Sequence, residues 1–315
     1  MKSLRIVFMG TPDFAVASLD ALYNSSHQVV GVITAPDRPA GRGKKIHASP
    51  VKEYADKQQL PLLQPTLLKE DTFLTELKNL KADIFVVVAF RMLPKQVWEI
   101  PPMGTFNLHA SLLPMYRGAA PIHWAVINGE QTTGVTTFFI DEKIDTGAIL
   151  LQEKTTISKT ESTGELYIRL QALGSKLVVK TVDQLALGTL SSQKQKESHR
   201  LPVAPKLTKE NTRIDWSASA ETIFNFIRGL SPYPSAWTTL HINEQAHFLK
   251  IHASTFKLAS HNYTNGTVSI EDNQFKVWTF DGYILVNELQ LAGKKKMAAK
   301  DLLNGFKIAE GSILR

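Results

Sequence analysis

The fold class is decided by residues 4–25, LRIVFMGTPDFAVASLDALYNS, and by the repetition of their pattern further along the chain. The apolar run at residues 4–9, broken only by Arg5, predicts a buried strand. Residues 10–13 are rich in turn formers and predict a tight connection. Residues 14–25 then carry apolar side chains at helical spacing, and Asp13 is a candidate N-cap. The sequence therefore begins with a strand, a turn and a helix.

Strands and helices continue to alternate as far as residue 187. Because the predicted strands are apolar on both faces, the alternation favours a mostly parallel sheet with helices on both faces, a Rossmann-like α/β fold. The further predicted strands are residues 29–35, 82–90, 105–110 and 135–140, and the further predicted helices are residues 50–59, 73–80 and 165–187.

The composition changes after residue 189. Residues 190–206 are polar and aperiodic, which is typical of a linker, so the sequence predicts one domain at 1–189 and a second at 207–315. In the second domain, a predicted helix at 221–229 precedes short strands that turns such as Asn265-Gly266 and Asp281-Gly282 separate. Such a series predicts a small, OB-like β-barrel. The predicted strands are residues 236–242, 248–252, 266–270, 275–279 and 283–291.

The composition excludes several classes of protein. Hydrophobic residues at 43% and charged residues at 21% of the 315 are globular values, not those of a disordered or collagen-like chain. The absence of cysteine excludes a disulfide scaffold, a thiolate zinc site and a cysteine nucleophile, and it fits a cytoplasmic protein. The longest apolar run, residues 84–90, is far below the roughly 18 residues of a membrane span, so no membrane partner is expected. The nine histidines are scattered without zinc-binding spacing, and no metal is expected.

The formal net charge is +7, and the basic residues are segregated along the chain. Residues 37–52 hold five basic side chains against the single Asp37, and a second basic cluster occupies residues 294–300. Segregated basic charge suits a polyanionic partner, because contacts with phosphates release condensed counterions. A solvated surface explains such clusters about equally well.

Two glycine-containing stretches do not fit known nucleotide-binding patterns. Gly10 ends the first predicted strand, where a dinucleotide fold carries three glycines, but Asp13 and Phe14 occupy the later positions. The stretch GRGKK at residues 41–45 lacks the spacing of a P-loop. A nicotinamide site and a P-loop site are therefore both disfavoured.

Asn107 and His109 stand two residues apart at the end of a predicted strand, so their side chains emerge on one face. An amide beside an imidazole can donate hydrogen bonds to a carbonyl oxygen that becomes negative during acyl transfer. A carboxylate is needed to orient the imidazole and favour its charged form. Asp145 is the candidate, with Asp141 and Glu142 as rivals in the same loop. A short Asn-x-His motif is by itself more often structural, and the alternative is that His109 is a core histidine.

Together with the surrounding residues, this pair forms a long signature that resembles that of the folate-dependent formyltransferases. Among these enzymes, the sequence is most similar to the branch whose acceptor is an aminoacylated tRNA. The likeness continues in residues 8–15, 36–45 and 227–237, and so covers nearly the whole chain. Ala110 departs from the glycine common in the family. The signature comprises Asn107, His109, Ser111, Leu112, Leu113, Pro114, Arg117, Gly118, Pro121, Ile122, Trp124, Asp145 and Gly147.

The resemblance implies a reaction, a formyl donor and an acceptor. The family transfers the formyl group of 10-formyltetrahydrofolate to the α-amino group of methionine on initiator tRNA. Asn107, His109 and Asp145 match its catalytic positions, and the amine proton would pass to Asp145 or to neutral His109. Folate contacts are implied for Phe90, Arg91, Met92, Leu93, Ser111, Leu112, Leu113 and Pro114. Contacts with tRNA are expected from Arg38, Arg42, Lys44, Lys45, Lys206, Lys294, Lys295 and Lys296.

Three alternative functions remain open. A formyltransferase for a small amine, such as a nucleotide-sugar or glycinamide acceptor, would need neither the basic stretch nor the second domain. A binding module without catalysis would neither release nor transfer the formyl group. A nicotinamide oxidoreductase is disfavoured by the missing glycines. The sequence favours a monomeric enzyme that binds tRNA.

Overall fold

The computed structural model describes residues 2–40, 45–196, 201–309 and 311–315, which form two compact units. The first unit comprises Met1–Gly118, Thr133–Thr155 and Tyr167–Val203. The second comprises Ala119–Thr132, Thr156–Leu166 and Ala204–Arg315. Two segments that precede the predicted linker thus belong to the second unit. No helix of the described ranges is both long enough and apolar enough to cross a membrane.

The helices and strands alternate in the first two thirds of the chain, and strands predominate in the last third. The helices are α1 (Asp13–Tyr23), α2 (Pro50–Lys57), α3 (Asp71–Asn79), α4 (Lys95–Trp98), α5 (Pro121–Ile127), α6 (Thr163–Leu187), α7 (Ala220–Gly229) and α8 (Ala299–Leu303), with a short 3-10 helix at Glu210–Thr212. The strands are β1 (Arg5–Gly10), β2 (Gln28–Ile33), β3 (Arg38–Ala40), β4 (Lys45–His47), β5 (Leu62–Leu63), β6 (Ile84–Val88), β7 (Thr105–His109), β8 (Arg117–Gly118), β9 (Thr132–Phe139), β10 (Ile149–Thr156), β11 (Val203–Ala204), β12 (Ala236–Ile242), β13 (Gln245–Leu258), β14 (Val268–Glu271), β15 (Gln274–Trp278), β16 (Gly282–Leu291), β17 (Met297–Ala298) and β18 (Ile313–Leu314).

The first unit is built on a twisted sheet in the order β10-β9-β7-β6-β1-β2-β5. Strands β7, β6, β1, β2 and β5 run parallel, whereas β9 is antiparallel to β7. This arrangement confirms the predicted mostly parallel sheet. Strand β10 was outside the predicted strands because its exposed, polar second half removes the apolar run that a buried strand would show.

Helices pack on both faces of this sheet. On one face, Phe73 and Leu77 of α3 share a buried cluster with Val7 and Val87. On the other face, the Thr181 hydroxyl of α6 lies 2.9 Å from that of Thr137 in β9. The Rossmann-like architecture predicted from the apolar strands is therefore confirmed.

The predicted N-cap role of Asp13 is wrong. Helix α1 begins at Asp13 itself, and Pro12 occupies the cap position without a side-chain hydrogen bond. The Asp13 carboxylate instead accepts a hydrogen bond from the Tyr167 hydroxyl at 2.6 Å, and its carbonyl accepts one from Gln171. These two bonds tie the start of α1 to α6.

The second unit contains a curled antiparallel sheet in the order β14-β15-β16-β13-β12-β18, and β17 pairs with β16. Its two edges meet: Thr267 bridges Ile313, and the Leu314 N–H donates to the Gly266 carbonyl at 2.8 Å. Helix α7 packs Ile223 and Ile227 into the core that the inward side chains form. The predicted small barrel is confirmed, with a longer β13 than the sequence indicated.

Candidate active site

Strand β7 positions the first two predicted catalytic residues. It lies between β6 and β9, where Asn107 is opposite Val87 and Phe138. His109 is 6% exposed and Asn107 is half-buried. Because side chains alternate along a strand, both residues lie on the same face of the sheet, as their spacing predicts.

The His109 ring faces a hydrogen-bond acceptor at each nitrogen. Its Nε2 lies 2.8 Å from the Tyr116 carbonyl oxygen, which can only accept, so Nε2 carries a proton. Its Nδ1 lies 3.7 Å from Oδ2 of Asp145. A proton on Nδ1 would point at a carboxylate, whereas a lone pair there would oppose it. Two acceptors, one at each nitrogen, therefore set the orientation of the ring.

Asp145, rather than its two rivals, faces the imidazole. Its Oδ2 also accepts a hydrogen bond from the Gly118 N–H at 2.9 Å, which fixes the carboxylate. Oδ1 of Asp141 instead accepts bonds from the Thr146 hydroxyl and the Lys143 N–H. Glu142 pairs with Lys95 at 3.2 Å and its side chain is 73% exposed. The structure thus brings together the three residues that the sequence singled out and separates the alternatives.

Gln195 is bonded to the loop that carries Asp145, although no sequence pattern indicated it. It lies in the polar segment predicted as a linker, but it is only 5% exposed. Its Nε2 donates to the carbonyls of Asp145 at 2.9 Å and Gly147 at 2.8 Å. Its Oε1 accepts from Nε of Arg117 at 3.1 Å and from Nη2 at 2.6 Å. A polar segment without periodicity offered no signal that could have found this residue.

Gly147 is needed because the backbone of β9 approaches it closely. A Cβ atom at this position would lie 1.6 Å from the Phe139 carbonyl oxygen, so any side chain displaces the loop that carries Asp145. We expect Gly147→Ala to lower the free energy of unfolding by about 1–3 kcal/mol, as overpacking does, and to reduce turnover. Thermal melts and steady-state kinetics measure the two effects.

Gly305→Ala is the matched control for this substitution. Gly305 has open space where a Cβ would be added, so the melting temperature and turnover should stay close to those of the wild type. A Gly147→Ala variant as stable and as active as Gly305→Ala would show that the loop tolerates displacement.

The Asn107 side chain contains an unusual polar atom. Among the described residues, its Oδ1 is buried and has no hydrogen-bond partner. Buried polar atoms are paired in the great majority of cases, and leaving one unpaired costs about 1–3 kcal/mol. This unpaired atom belongs to the residue two positions before His109 on the same face of β7.

The two segments predicted to contact folate follow the carboxyl ends of neighbouring parallel strands. Residues 90–93 follow β6 and residues 111–114 follow β7, and the two strands pair in register from Phe85 with Thr105 to Val88 with Leu108. Ligands of open α/β sheets bind at this edge. The two segments thus begin at the same edge of the sheet, next to the end of β7, which carries Asn107 and His109.

Within the first segment, the four predicted residues differ in accessibility. Met92 is 71% exposed and Leu93 is buried, while Phe90 and Arg91 are half-buried. The Arg91 guanidinium donates to the carbonyls of Thr66 and Pro65. Burial, and secondarily repulsion from Arg38, lower its pKa. Arg91 therefore holds a neighbouring loop, and Phe90 and Met92 remain the accessible members.

The second segment is held by a network centred on Thr136. The Thr136 hydroxyl donates to the Ser111 carbonyl at 2.6 Å and accepts from the Leu113 N–H and from Gln152. Ser111 is fully buried and its hydroxyl donates to the Met115 carbonyl at 2.7 Å. Leu113 is also buried, whereas Leu112 and Pro114 are half-buried. The latter two are therefore the members that can reach a ligand.

The basic stretch predicted to bind tRNA is only partly described. Arg42 and Lys44 lie outside the described residues. Arg38 is exposed at the start of β3, and Lys45 begins the antiparallel partner strand β4. Lys52, by contrast, is paired with Asp37 at 2.6 Å, and this hydrogen bond lowers the Asp37 pKa. The charge of Lys52 is thus balanced within the protein.

On the barrel, the predicted lysines are exposed. Lys206, Lys294 and Lys295 have exposed side chains, while Lys296 pairs with Glu288 at 2.7 Å. The sequence pattern missed this pairing because Glu288 lies on β16, outside the lysine cluster, and only the hairpin brings the two together.

A second basic surface of the barrel was not predicted. The Trp237 ring stacks on Phe248 with centroids 5.3 Å apart, and Lys209 and Arg213 each lie within 5.5 Å of the Trp237 centroid. The residues are distant in sequence, so neither charge runs nor aromatic spacing indicates them. Cations beside a stacked aromatic pair are typical of surfaces that bind single-stranded nucleic acid.

No group of three or more histidine, cysteine, aspartate or glutamate side chains in the described part of the chain is placed to hold a metal ion. The three candidate catalytic residues supply acid–base and hydrogen-bonding groups. Together they offer an imidazole, a carboxylate and an amide with an unpaired oxygen, which suits attack of an amine on a carbonyl carbon.

The sequence matches family models along most of its length. Residues 4–182 match the formyl transferase model, and residues 206–307 match the model of the formyl transferase C-terminal domain. The methionyl-tRNA formyltransferase of Flavobacterium psychrophilum is 52% identical over 311 residues, which are 98% of each chain. That of Bacteroides thetaiotaomicron is 49% identical over 315 residues, again 98% of each chain.

Solved structures share the fold at low sequence identity. The N-formyltransferase of Helicobacter canadensis, solved with folinic acid and dTDP-3-aminofucose, has a TM-score of 0.67 and 23% identity, covering 93% of this chain and 100% of that one. HypX of Aquifex aeolicus, solved with tetrahydrofolic acid, has a TM-score of 0.65 and 17% identity, covering 97% of this chain and 48% of that one. The identity to full-length relatives and the two family models establish that the chain belongs to the methionyl-tRNA formyltransferase family.

Proposed function

We propose that this protein transfers the formyl group of 10-formyltetrahydrofolate to the α-amino group of methionine on initiator methionyl-tRNA, giving N-formylmethionyl-tRNA for translation initiation in the cytoplasm. The single observation that carries the chemistry is the His109 ring, which faces the Tyr116 carbonyl with one nitrogen and the Asp145 carboxylate with the other. Family membership supplies the donor and acceptor classes.

The residues at the edge of the sheet fit a folate-derived donor. Phe90, Met92, Leu112 and Pro114 offer accessible apolar surface in the segments that follow the carboxyl ends of β6 and β7. Apolar side chains with a few convergent polar groups are typical of pockets for ring-containing ligands. The buried, unpaired Oδ1 of Asn107 is a polar group that a bound substrate can satisfy. Phe90, Met92, Leu112 and Pro114 would thus line the site, and Asn107 would face the reacting atoms.

The reaction begins when the lone pair of the methionyl amine attacks the formyl carbon. The carbonyl electrons move to oxygen and give a tetrahedral intermediate with a negative charge. Breakage of the bond between the formyl carbon and the folate nitrogen completes the transfer. The amine loses one proton and the departing folate nitrogen gains one, so the charges balance. The protein has to stabilise the oxyanion and move these protons.

His109 is assigned to the oxyanion through Nδ1. Its Nε2 proton is committed to the Tyr116 carbonyl. The 3.7 Å between Nδ1 and the Asp145 carboxylate is longer than a charge-assisted hydrogen bond, so an Nδ1 proton would be free to donate to an arriving oxygen. The carboxylate meanwhile stabilises the positive charge of the ring across that distance.

Asn107 can serve both reacting groups. Its side-chain nitrogen would donate to the oxyanion, and its unpaired Oδ1 would accept an N–H of the attacking amine. Two such bonds would fix the amine in line with the formyl carbon. Alignment of this kind accounts for a large part of the rate gain in bimolecular reactions.

Asp145 is the better candidate for accepting the amine proton, directly or through water. For His109 to accept it, the ring would have to be neutral at Nδ1, with its lone pair opposed to the carboxylate. In the proposed mechanism the ring is charged instead, with Nε2 facing the Tyr116 carbonyl and Nδ1 facing the Asp145 carboxylate. We therefore assign the acceptor role to the carboxylate and the donor role to the imidazolium.

The test is transfer of labelled formyl from 10-formyltetrahydrofolate to charged tRNA. Initiator methionyl-tRNA should be formylated, elongator methionyl-tRNA should be formylated much more slowly, and amino sugar nucleotides and glycinamide ribonucleotide should not react. Preferential formylation of a small amine would replace the proposed acceptor. Binding of the folate without any transfer would reduce the protein to a binding module.

We infer that the basic stretch at residues 36–45 binds the acceptor stem. Arg42→Ala should raise the KM for methionyl-tRNA by about tenfold. It should also make the dependence of tRNA binding on salt concentration less steep, by about the amount that one phosphate contact contributes. The affinity for the folate donor should not change. Kinetics at low and physiological salt measure both effects.

Lys57→Ala is the control for this prediction, because Lys57 is an exposed lysine of α2 outside the basic stretch. Removal of a cation there should leave the KM for tRNA and its salt dependence unchanged. If Arg42→Ala behaved like Lys57→Ala at both salt concentrations, the basic stretch would not contact the acceptor.

A further inference from the structure

The Gln195 side chain uses all of its hydrogen-bonding capacity between Arg117 and the loop that carries Asp145. Its two N–H groups donate to the carbonyls of Asp145 and Gly147, and its oxygen accepts two bonds from the Arg117 guanidinium. A buried amide that satisfies four bonds at 2.6–3.1 Å is held rigidly. Gln195 therefore connects Arg117 to the backbone on both sides of Thr146.

The direction of this amide is fixed by Arg117. A guanidinium can only donate, so it holds the amide oxygen on its own side and turns the amide nitrogen toward the two carbonyls. The opposite orientation would place N–H groups against the guanidinium and oxygen against oxygen. Arg117 thereby determines which end of Gln195 meets the loop.

The loop needs such a restraint at Asp145. This residue has a φ of +56°, in the left-handed region that non-glycine residues rarely occupy. The Asp145 carboxylate is held from the other side by the Gly118 N–H. With its backbone held by Gln195 and its carboxylate held by Gly118, the side chain is directed at the His109 ring.

We propose that Gln195 is a positioning residue for the formyl transfer: it holds the backbone of residues 145–147, with Arg117 fixing its orientation, so that the Asp145 carboxylate stays beside His109. This inference rests on the proposed function. Gln195 contacts no reacting atom in it and acts through Asp145. Removal of its two N–H donors should therefore affect turnover more than binding.

Gln195→Glu tests the proposal with almost no change in volume. The carboxylate keeps its contact with Arg117 but places an oxygen against the Asp145 and Gly147 carbonyls, so the loop must move. A displacement near 1 Å at a catalytic group can lower turnover by about 10²-fold, and we expect kcat to fall by about 10- to 100-fold. The KM for 10-formyltetrahydrofolate should change by less than about twofold, because the substitution does not touch the residues that bind the folate.

Gln193→Glu is the matched control. It makes the same substitution two residues upstream, at an exposed side chain in the same segment, and should keep the kcat of the wild type. Melting temperatures of both variants separate a loss of positioning from a loss of folding. A second variant, Arg117→Lys, removes the paired donors and should show the same split between kcat and KM with a smaller effect.

A double-mutant cycle gives the decisive readout. If Gln195 acts through Asp145, Gln195→Glu should lower the residual rate of an Asp145→Asn variant little or not at all. Fully multiplicative effects, or a Gln195→Glu variant that is stable and as active as Gln193→Glu, would overturn the positioning role. A wild-type protein that transfers no formyl group to methionyl-tRNA would overturn the proposed function, and the positioning role with it.

Discussion

Asp145→Asn is expected to lower kcat by about 10³-fold while the folate affinity and the melting temperature remain close to those of the wild type. The substitution is isosteric, and an amide oxygen can still accept the Gly118 N–H that now binds Oδ2 at 2.9 Å. The geometry around His109 is thus preserved and only the negative charge is lost. The imidazolium loses its counter-charge at 3.7 Å, and the amine loses its candidate proton acceptor.

Rapid-quench or steady-state transfer of labelled formyl measures this loss, and Glu142→Gln is its control. Glu142 lies in the same loop and was a rival for the same role, but its side chain is exposed and pairs with Lys95 at 3.2 Å. Its neutralisation should leave kcat unchanged, because exposed ion pairs contribute about 0–1 kcal/mol. Equal activities of the two variants would remove Asp145 from the mechanism.

The placement of the two candidate catalytic side chains of β7 could be predicted because it follows from local rules. Apolar runs locate β1, β6 and β7, and the two-residue spacing alone places Asn107 and His109 on one face. The choice among Asp141, Glu142 and Asp145 could not be made in the same way. It depends on the left-handed backbone at Asp145 and on the Gly118 N–H, both of which are set by tertiary structure.

Residues whose partners are distant in sequence could not be predicted. Gln195 lies in a segment whose composition is that of a linker, and its role appears only when Arg117 and the Asp145 loop are brought to it. The sequence indicated that Lys296 is an unpaired cation, but in the structure Glu288 of β16 pairs with it. Arg91 was expected to contact folate, but its guanidinium is bonded to backbone carbonyls 25 and 26 residues away. Composition and spacing carry no information on such contacts.

The amide oxygen of Asn107 is buried and has no hydrogen-bond partner among the described residues, so its removal should affect activity and stability differently. Asn107→Ala should lower kcat by about 10²–10³-fold, the effect of losing one donor to an oxyanion. The melting temperature should stay the same or rise, because truncation removes a buried oxygen that has no partner in the described structure. Loss of activity without loss of stability is the behaviour of a polar group placed for a substrate rather than for the fold.

Thr136→Val provides the opposite case on the neighbouring strand. The Thr136 hydroxyl is fully buried and bonds to the Ser111 carbonyl, the Leu113 N–H and Gln152, so its removal should lower the melting temperature clearly. Asn107→Asp, which keeps the volume but places a negative charge beside the developing oxyanion, should be at least as inactive as Asn107→Ala. Near-normal kcat in Asn107→Ala with intact folate binding, or a loss of stability like that of Thr136→Val, would show that the amide belongs to the core and not to the reaction.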